Sequence, residues 1–424
     1  MLEFSHYHTD TGGLNVLDSK WFTIAGTLML GLFVAFLDRI NLSVGLMAMS
    51  KDLGFSGDAF AVTSSLVLTV FLVGYGFSNF FGGIVTRKVD PKTTVIAMMA
   101  IWSVATILTG WVTSVTLLIV YRLILGVSEG IYWPQQSRFA RAWFAPHELS
   151  RANSLIHFYG QYFGLGLGFL LLTPVFNILG WRALFFLTGA AGIVVIIPLF
   201  MKLLRRESES NLVKTPQEIR SKLTLDDMGG PTILFLCFTY FAQSNLFWGT
   251  TLWIPMLVKS LQFTGVAQAV ATALPYFVGL ILAAPMSILS DRTGKRVLIT
   301  VVGLIIPGFI LMFLPHIDDP VIKMAVIALS VGFCGSTFQP NIWSIIQSSV
   351  KPRGVGPAAG VVNGIGASGG TVAGFVVGLL YKSTGSYTAG FVYLGLMVML
   401  AGVSLILHDR YKRVDILAPG TATN

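Results

Sequence analysis

Charge is scarce in this 424-residue chain: Lys, Arg, Asp and Glu together make up 11%, against roughly 25% in soluble domains. Hydrophobic residues reach 54% and the mean hydropathy is +0.75. So little polar material cannot cover a soluble fold, and the composition is that of a membrane protein. Cysteine is nearly absent. Cys237 and Cys334 each sit in an apolar run, which excludes a disulfide framework and marks both as small core hydrophobes. Acids are fewer than bases, giving a net charge of +9. In so apolar a chain that excess belongs to loops on one side of a bilayer rather than to nucleic-acid binding. The first 20 residues carry Glu3, Asp10 and Asp18 without an apolar core, so no cleavable signal peptide is expected. The sequence offers no metal-ligand cluster, catalytic triad or phosphate loop, and we expect no cofactor, metal or enzymatic activity.

What is present is a series of long apolar runs. Twelve segments have helix-spanning length: 22–47, 60–85, 93–113, 116–140, 152–176, 182–203, 231–258, 266–290, 296–315, 320–347, 355–381 and 386–409. The fold class expected is therefore an all-α membrane protein with twelve transmembrane helices. Its parts are an N-terminal tail (1–21), a six-helix bundle (22–203), a polar linker (204–230), a second six-helix bundle (231–409) and a C-terminal tail (410–424). An even number of crossings puts both termini on one side. Of the 28 Lys and Arg, only Lys51, Arg182, Lys259, Lys323 and Lys382 fall on the other side, and Arg39 and Arg122 lie in the membrane. That bias assigns the terminal side to the cytoplasm. The halves also resemble each other: Gly160, Gly164 and Gly168 recur every fourth residue in the fifth segment, as do Gly366, Gly370, Gly374 and Gly378 in the eleventh. Such stripes let helix backbones approach closely. Two pseudo-repeated bundles suit a central site that faces each side in turn.

Four charges break the apolar pattern, all in the first half. Within YRLILGVSEGIYWP (Tyr121–Pro134), Arg122 and Glu129 are seven residues apart, which places them on one helix side at about 10 Å. Asp38 and Arg39 adjoin in FVAFLDRINLSVGL. Each would cost on the order of 2.5–3.5 kcal/mol at a bilayer centre, so none should face lipid. A buried arginine fork suits a carboxylate. A buried carboxylate beside an arginine has a proton affinity that responds to whatever else the arginine binds. That is the minimum for coupling an anion to protons. The competing interpretation is that the four charges only hold helices together.

SILSDRTGKR (Ser287–Arg296), between the eighth and ninth segments, resembles the loop signature of the major facilitator superfamily. LDRINLSV (Leu37–Val44), RLILGVSEG (Arg122–Gly130) and WFAPHELSRAN (Trp143–Asn153) resemble the anion:cation symporter family within it. That family includes bacterial proton-coupled sugar-acid permeases and is related to sialin and vesicular glutamate transporters. The resemblance implies the major facilitator fold, proton-linked carboxylates at Asp38 and Glu129, and intramembrane arginines at Arg39 and Arg122. It also implies pocket residues at Tyr75, Gln161 and Asn363, and gating contacts at Asp291, Arg292, Gly294 and Arg296. The first-half loop GGIVTRKVD departs from the signature, with Arg87 where an acid is usual and Asp90 where glycine is usual; an exchange of roles between these two would restore the contact. FQPNIW (Phe338–Trp343) lacks the small hydroxyl residues of the galactonate-type permeases.

His157 lies one turn before Gln161 on the same face. It can bind substrate or relay a proton, or it is an interfacial or structural histidine. Gln339, Asn341 and Trp248 are divided between substrate contact and helix packing. Tyr132, Trp133, Tyr159 and Tyr162 are read as core or belt, and Asp226-Asp227 as a solvated loop. Gly364–Gly369 satisfies G-x-G-x-x-G, but inside a membrane-length run it signals close packing, not a nucleotide. The function expected is import of a small organic anion, a sugar acid or other hydroxy carboxylate, by proton symport through a monomer in the inner membrane. An aromatic or dicarboxylic acid permease is the alternative, followed by a phosphate-linked antiporter.

Overall fold

The computed structural model describes residues 19–56, 58–210, 212 and 222–417. Most of the expected N-terminal tail with Glu3, Asp10 and Asp18, most of KTPQEIRSK in the linker, and 418–424 lie outside the described residues. Helices dominate, and no strand occurs among the described residues. Twelve helical rods follow in order: α1 (Trp21–Asp52), α2 (Asp58–Val85), α3 (Pro91–Gly110), α4 (Val115–Trp143), α5 (149–179), α6 (181–203), α7 (Ile233–Ser260), α8 (Gly265–Thr293), α9 (Arg296–Leu311), α10 (Pro320–Ser349), α11 (Val355–Thr384) and α12 (Tyr387–Leu417). Among the described residues nine stretches are long and apolar enough to cross a membrane. The α9 helix is shorter, and Gln243, Ser244 and Asn245 interrupt the apolar run of α7. Phe77, Ile178, Ile281 and Phe375 point outward, where a soluble protein would carry charge.

Local chemistry sets the boundaries. Ser114, Asp90 and Asp319 accept backbone N–H groups at the starts of α4, α3 and α10, and proline follows each of the two aspartates, the arrangement that best satisfies a helix N-terminus. Helical geometry runs without a loop from α5 into α6 except at Gly180, whose φ of 79° turns the chain between them. Only glycine adopts that angle without strain. The last helix runs to Leu417, beyond the end of its apolar segment near 409.

The glycine stripes do what their spacing predicts. Gly160, Gly164 and Gly168 pack α5 against Met29, Phe36 and Ile40 of α1, while Gly366, Gly370, Gly374 and Gly378 pack α11 against Tyr240, Trp248, Leu252 and Trp253 of α7. The pairs α1–α5 and α7–α11 are thus equivalent, as are α2–α4 with α8–α10 and α3–α6 with α9–α12. Close packing also explains the G-x-G-x-x-G run, because Gly364 abuts α2 and Gly366 and Gly369 abut α7.

The bundles meet along two equivalent seams, α2–α11 and α5–α8, with α10 joining the second. On the first seam Gly76 lies against Gly364, Asn79 against Gly360 and Gly83 against Gly356. These positions are in the halves of α2 and α11 nearest the face where both described chain ends lie, called here the terminal face. On the second seam Asn153 and Gln347 exchange two amide bonds of 2.9 and 3.0 Å, and Asn153 also donates to Ser344 at 3.0 Å. The Tyr159 hydroxyl donates to the Leu280 carbonyl at 3.2 Å. All these contacts fall between mid-membrane and the terminal face.

The linker is not simply solvated. Arg138 of α4 pairs with Glu207, and the Ser210 hydroxyl donates to the Ala142 carbonyl. Asp227 corrects our expectation of a solvated acidic pair: Asp226 is exposed, but Asp227 is fully buried and accepts Arg353 at 2.8 Å, Lys351 at 3.4 Å and the Thr224 N–H at 2.9 Å. Burial alone would raise its pKa; the Arg353 and Thr224 bonds outweigh that and hold its carboxyl below the usual range. A charged loop residue escapes solvent here because Lys351 and Arg353, in the turn just before α11, supply the cations.

Candidate functional site

The four intramembrane charges converge inside the first bundle. Arg39 of α1 donates from Nε and Nη2 to the same Glu129 oxygen, at 2.9 and 2.7 Å. Its guanidinium also lies over Phe36, Tyr75 and Phe71, at 4.4, 4.8 and 5.3 Å from the ring centroids, contacts that favour a cation by about 0.5–2 kcal/mol each. The other Glu129 oxygen has no hydrogen-bond partner. Arg122 shares α4 with Glu129 but does not bond to it. It is buried at 2% exposure, rests over Phe71 at 4.7 Å, and leaves Nε and Nη1 without partners. Sharing a helix side was legible in the sequence; the pairing of Glu129 with Arg39 across helices was not.

Asp38 points the other way, as adjacent helix positions must. It is buried beside α6, accepting a long 3.4 Å bond from Asn41, which also donates to Thr188 at 3.0 Å. One Asp38 oxygen lacks a partner.

Tyr75 and Asn363 meet each other. The Asn363 amide donates to the Tyr75 hydroxyl at 3.1 Å and to Asn79 Oδ1 at 2.8 Å, linking α11 to α2 beneath the arginines. Gln161 is buried with an unpartnered Oε1. His157 is not interfacial: it is fully buried in a π-helical turn (Ser154–Tyr159). Its ring lies between Trp133 of α4 and Trp343 of α10, at 5.1 Å from each, and neither ring nitrogen has a partner. Tyr240 packs on Trp343 at 5.2 Å. This aromatic layer lies one turn from Glu129 and Gln161 on the terminal side, forming a floor that closes the site. Sequence reasoning missed Trp343, Asn79 and the Asn153–Gln347 pair, because their roles come from the opposite bundle. Gln339 accepts the Trp343 indole N–H at 3.2 Å within α10, and Asn341 accepts from Ser290 of α8 at 2.6 Å. Trp248 packs against Phe247.

The loop signature closes the terminal face. Asp291, at the end of α8, reaches across to the other bundle: one oxygen accepts the Ser150 N–H, the other accepts the N–H and Nε of Arg151, all at 3.0 Å. The acid thus sits on the N-terminus of α5, where a negative charge is favoured. Arg296 holds it at 3.0 Å and reaches Ser150 Oγ and the Pro146 carbonyl. Gly294 (φ 67°) ends α8, and Arg292 is exposed. The first-half loop is built differently. Asp90 caps its own helix through Lys92 at 2.9 Å and accepts the Glu207 N–H of the linker at 3.2 Å. Arg87 is half-buried. The Asp90 bonds stay in its own bundle and the linker, unlike those of Asp291.

Two six-helix bundles enclose a buried cluster of four intramembrane charges and are joined across their seams toward the terminal face. The family model described as Major Facilitator Superfamily matches residues 28–374, and the chain belongs to that superfamily. It is 26% identical over 419 residues to a putative tartrate transporter of Agrobacterium vitis, covering 92% of this chain and 91% of the other. It is 27% identical over 421 residues to a probable sulfoacetate transporter, SauU, of Cupriavidus necator, covering 92% and 94%. Among solved structures the fold matches a variant of the E. coli fucose:proton symporter FucP with a TM-score of 0.70, 14% identity, and coverage of 92% and 99%. The protein is accordingly a multi-pass membrane transporter with organic-anion transporters as relatives, and not an enzyme.

Proposed function

We propose that this transporter imports a small organic anion together with protons, and that its terminal face is cytoplasmic. The observation that carries the reading is the unequal state of the two arginines: Arg39 is committed to Glu129, whereas Arg122 keeps two buried N–H groups unpaired. A buried donor without an acceptor costs about 1–3 kcal/mol, and a substrate carboxylate relieves it. An anion at Arg122 also competes for Arg39. Once Arg39 turns toward the substrate, Glu129 loses its cation in a low-dielectric site and takes up a proton. Asp38 is the second proton site. On this reading Asp291, the Asn153–Gln347 pair and the aromatic floor block the route from the site to the terminal side. Alternating access then requires these seams to part.

The substrate class favoured is a sugar acid or other hydroxy carboxylate. Tyr75, Gln161 and Asn363 offer hydroxyl and amide partners beyond the arginines. The likeness to a putative tartrate transporter supports a short hydroxylated acid, and also keeps the dicarboxylate reading in play. The test is a thermal-shift screen of purified protein against tartrate, gluconate, malate and benzoate, followed by proteoliposome uptake under an imposed pH gradient. Uptake of a hydroxy acid that collapses with the proton gradient is expected. Stabilisation by benzoate alone, or uptake indifferent to the gradient, would overturn the reading.

A further inference from the structure

The α5 helix carries a polar stripe along the seam, Ser150, Asn153, His157 and Gln161, running from the terminal face up to the charged cleft. Ser150 and Asn153 bond across to the second bundle through Arg296, Ser344 and Gln347. His157 does not. Both ring nitrogens are buried and unpaired, and the ring stacks on Trp343 of the second bundle. A phenylalanine would fill the same slot without leaving a polar edge unsatisfied. The imidazole therefore has its use in the other conformation. When the second bundle withdraws, Trp343 leaves with α10 and the stripe becomes the wall of the route to the terminal face, with His157 as its titratable member.

We propose that His157 is a proton-accepting residue of this exit route, working only while the terminal side is open. The Glu129 carboxylic acid gives up its proton past Gln161, leaving a carboxylate that Arg39 recaptures. His157 becomes imidazolium, then loses the proton to water at the terminal face and restacks as a neutral ring. This rests on the proton-symport reading. The charged and titratable groups around the layer are Glu129, Arg39 and Arg122 above it, Tyr240 beside Trp343, and Asp291, Arg151, Arg296 and Arg138 toward the terminal face. The α10 helix adds none at this level.

The experiment uses full-length protein in proteoliposomes with a pH-sensitive dye in the lumen and the transported anion of the panel above as probe. His157→Phe keeps the stack and removes the base. It should slow substrate-driven acidification of the lumen about a hundredfold, the lower reach of what a positioned proton acceptor contributes, while substrate counterflow without a gradient stays as in wild type. His157→Gly should be slow in the same assay and be rescued by imidazole but not by pyrazole, which has the same shape and is far less basic. Wild-type acidification rate and pH profile in His157→Phe would overturn the proposal, and so would an equal loss of counterflow, which marks a packing role. If wild-type protein moves no protons with its substrate, the symport reading itself fails, and this inference with it.

Discussion

The two bundles share one plan and divide the chemistry between them. The first holds all four intramembrane charges; the second meets it with amides, aromatic rings and the Asp291 loop. Even the equivalent loops differ, since Asp291 caps a helix of the opposite bundle while Asp90 caps its own. The lesson is that repeat symmetry fixes where helices lie without dividing the chemistry equally: one half carries the buried charges, the other packs amides and aromatic rings against them.

The sharpest way to break this division is to neutralise the first bundle's acid. Glu129→Gln should abolish gradient-driven accumulation in proteoliposomes while leaving counterflow measurable, because it mimics a permanently protonated carboxyl. Accumulation with wild-type pH dependence would make Glu129 a structural partner of Arg39. Next in size is the unpaired base. Arg122→Ala should weaken substrate binding by roughly a hundredfold, given about 1.5–3 kcal/mol for a charge-assisted hydrogen bond, and Arg122→Lys should recover only part because the fork is lost. Calorimetric titration checks both. Unchanged affinity in stable protein moves the anion site elsewhere.

The loops supply a smaller, comparative prediction. Asp291→Asn removes the charge held by two arginines and a helix N-terminus. It should tilt the conformational balance toward opening at the terminal face by about 2 kcal/mol, near thirtyfold. Asp90→Asn should cost only a few tenths of a kcal/mol at its helix cap and leave the balance alone. Spin-label distances across the α5–α8 seam distinguish them, and an equal response in both variants would erase the contrast. The smallest effect concerns Asp227. Its pKa is held below that of the unfolded chain, so the stability it contributes is present in full above the ordinary carboxylate range and is lost only as pH falls through the depressed value. The melting-temperature gap between wild type and Asp227→Asn should therefore stay constant from neutral pH down to about pH 5, and close only in stronger acid. A gap that closes near neutrality would mean Asp227 is not held by Arg353.

Much of this fold is legible in the chain because its causes are local. Apolar length marks the helices, and glycines at every fourth residue mark which backbones touch. The intramembrane charges mark a candidate site because each is costly to place there. Partner choice was less legible. Arg122 and Glu129 share a side of α4, yet Glu129 bonds to α1, since helix rotation and crossing decide which guanidinium arrives. His157 read as a substrate contact, a proton relay or an interfacial or structural histidine, because the two indoles that enclose it lie 24 residues upstream and 186 downstream. Asp227 looked solvated because Lys351 and Arg353 are more than a hundred residues away.

The seating of α5 on α1 has a mechanical consequence. Gly160, Gly164 and Gly168 leave no side chain of their own between the two backbones, and on α1 they face Met29, Phe36 and Ile40, the turns that bracket Asp38 and Arg39. A shift of α1 driven by charge thus has no soft layer in which to dissipate. If the proposed alternating access holds, it would be delivered as rigid travel to α5, whose opposite side carries residues bonded across the terminal seam. The two helices would then work as a lever with the ion pair at one arm and the latch at the other, and a methyl group at Gly164 would act as grit in its bearing.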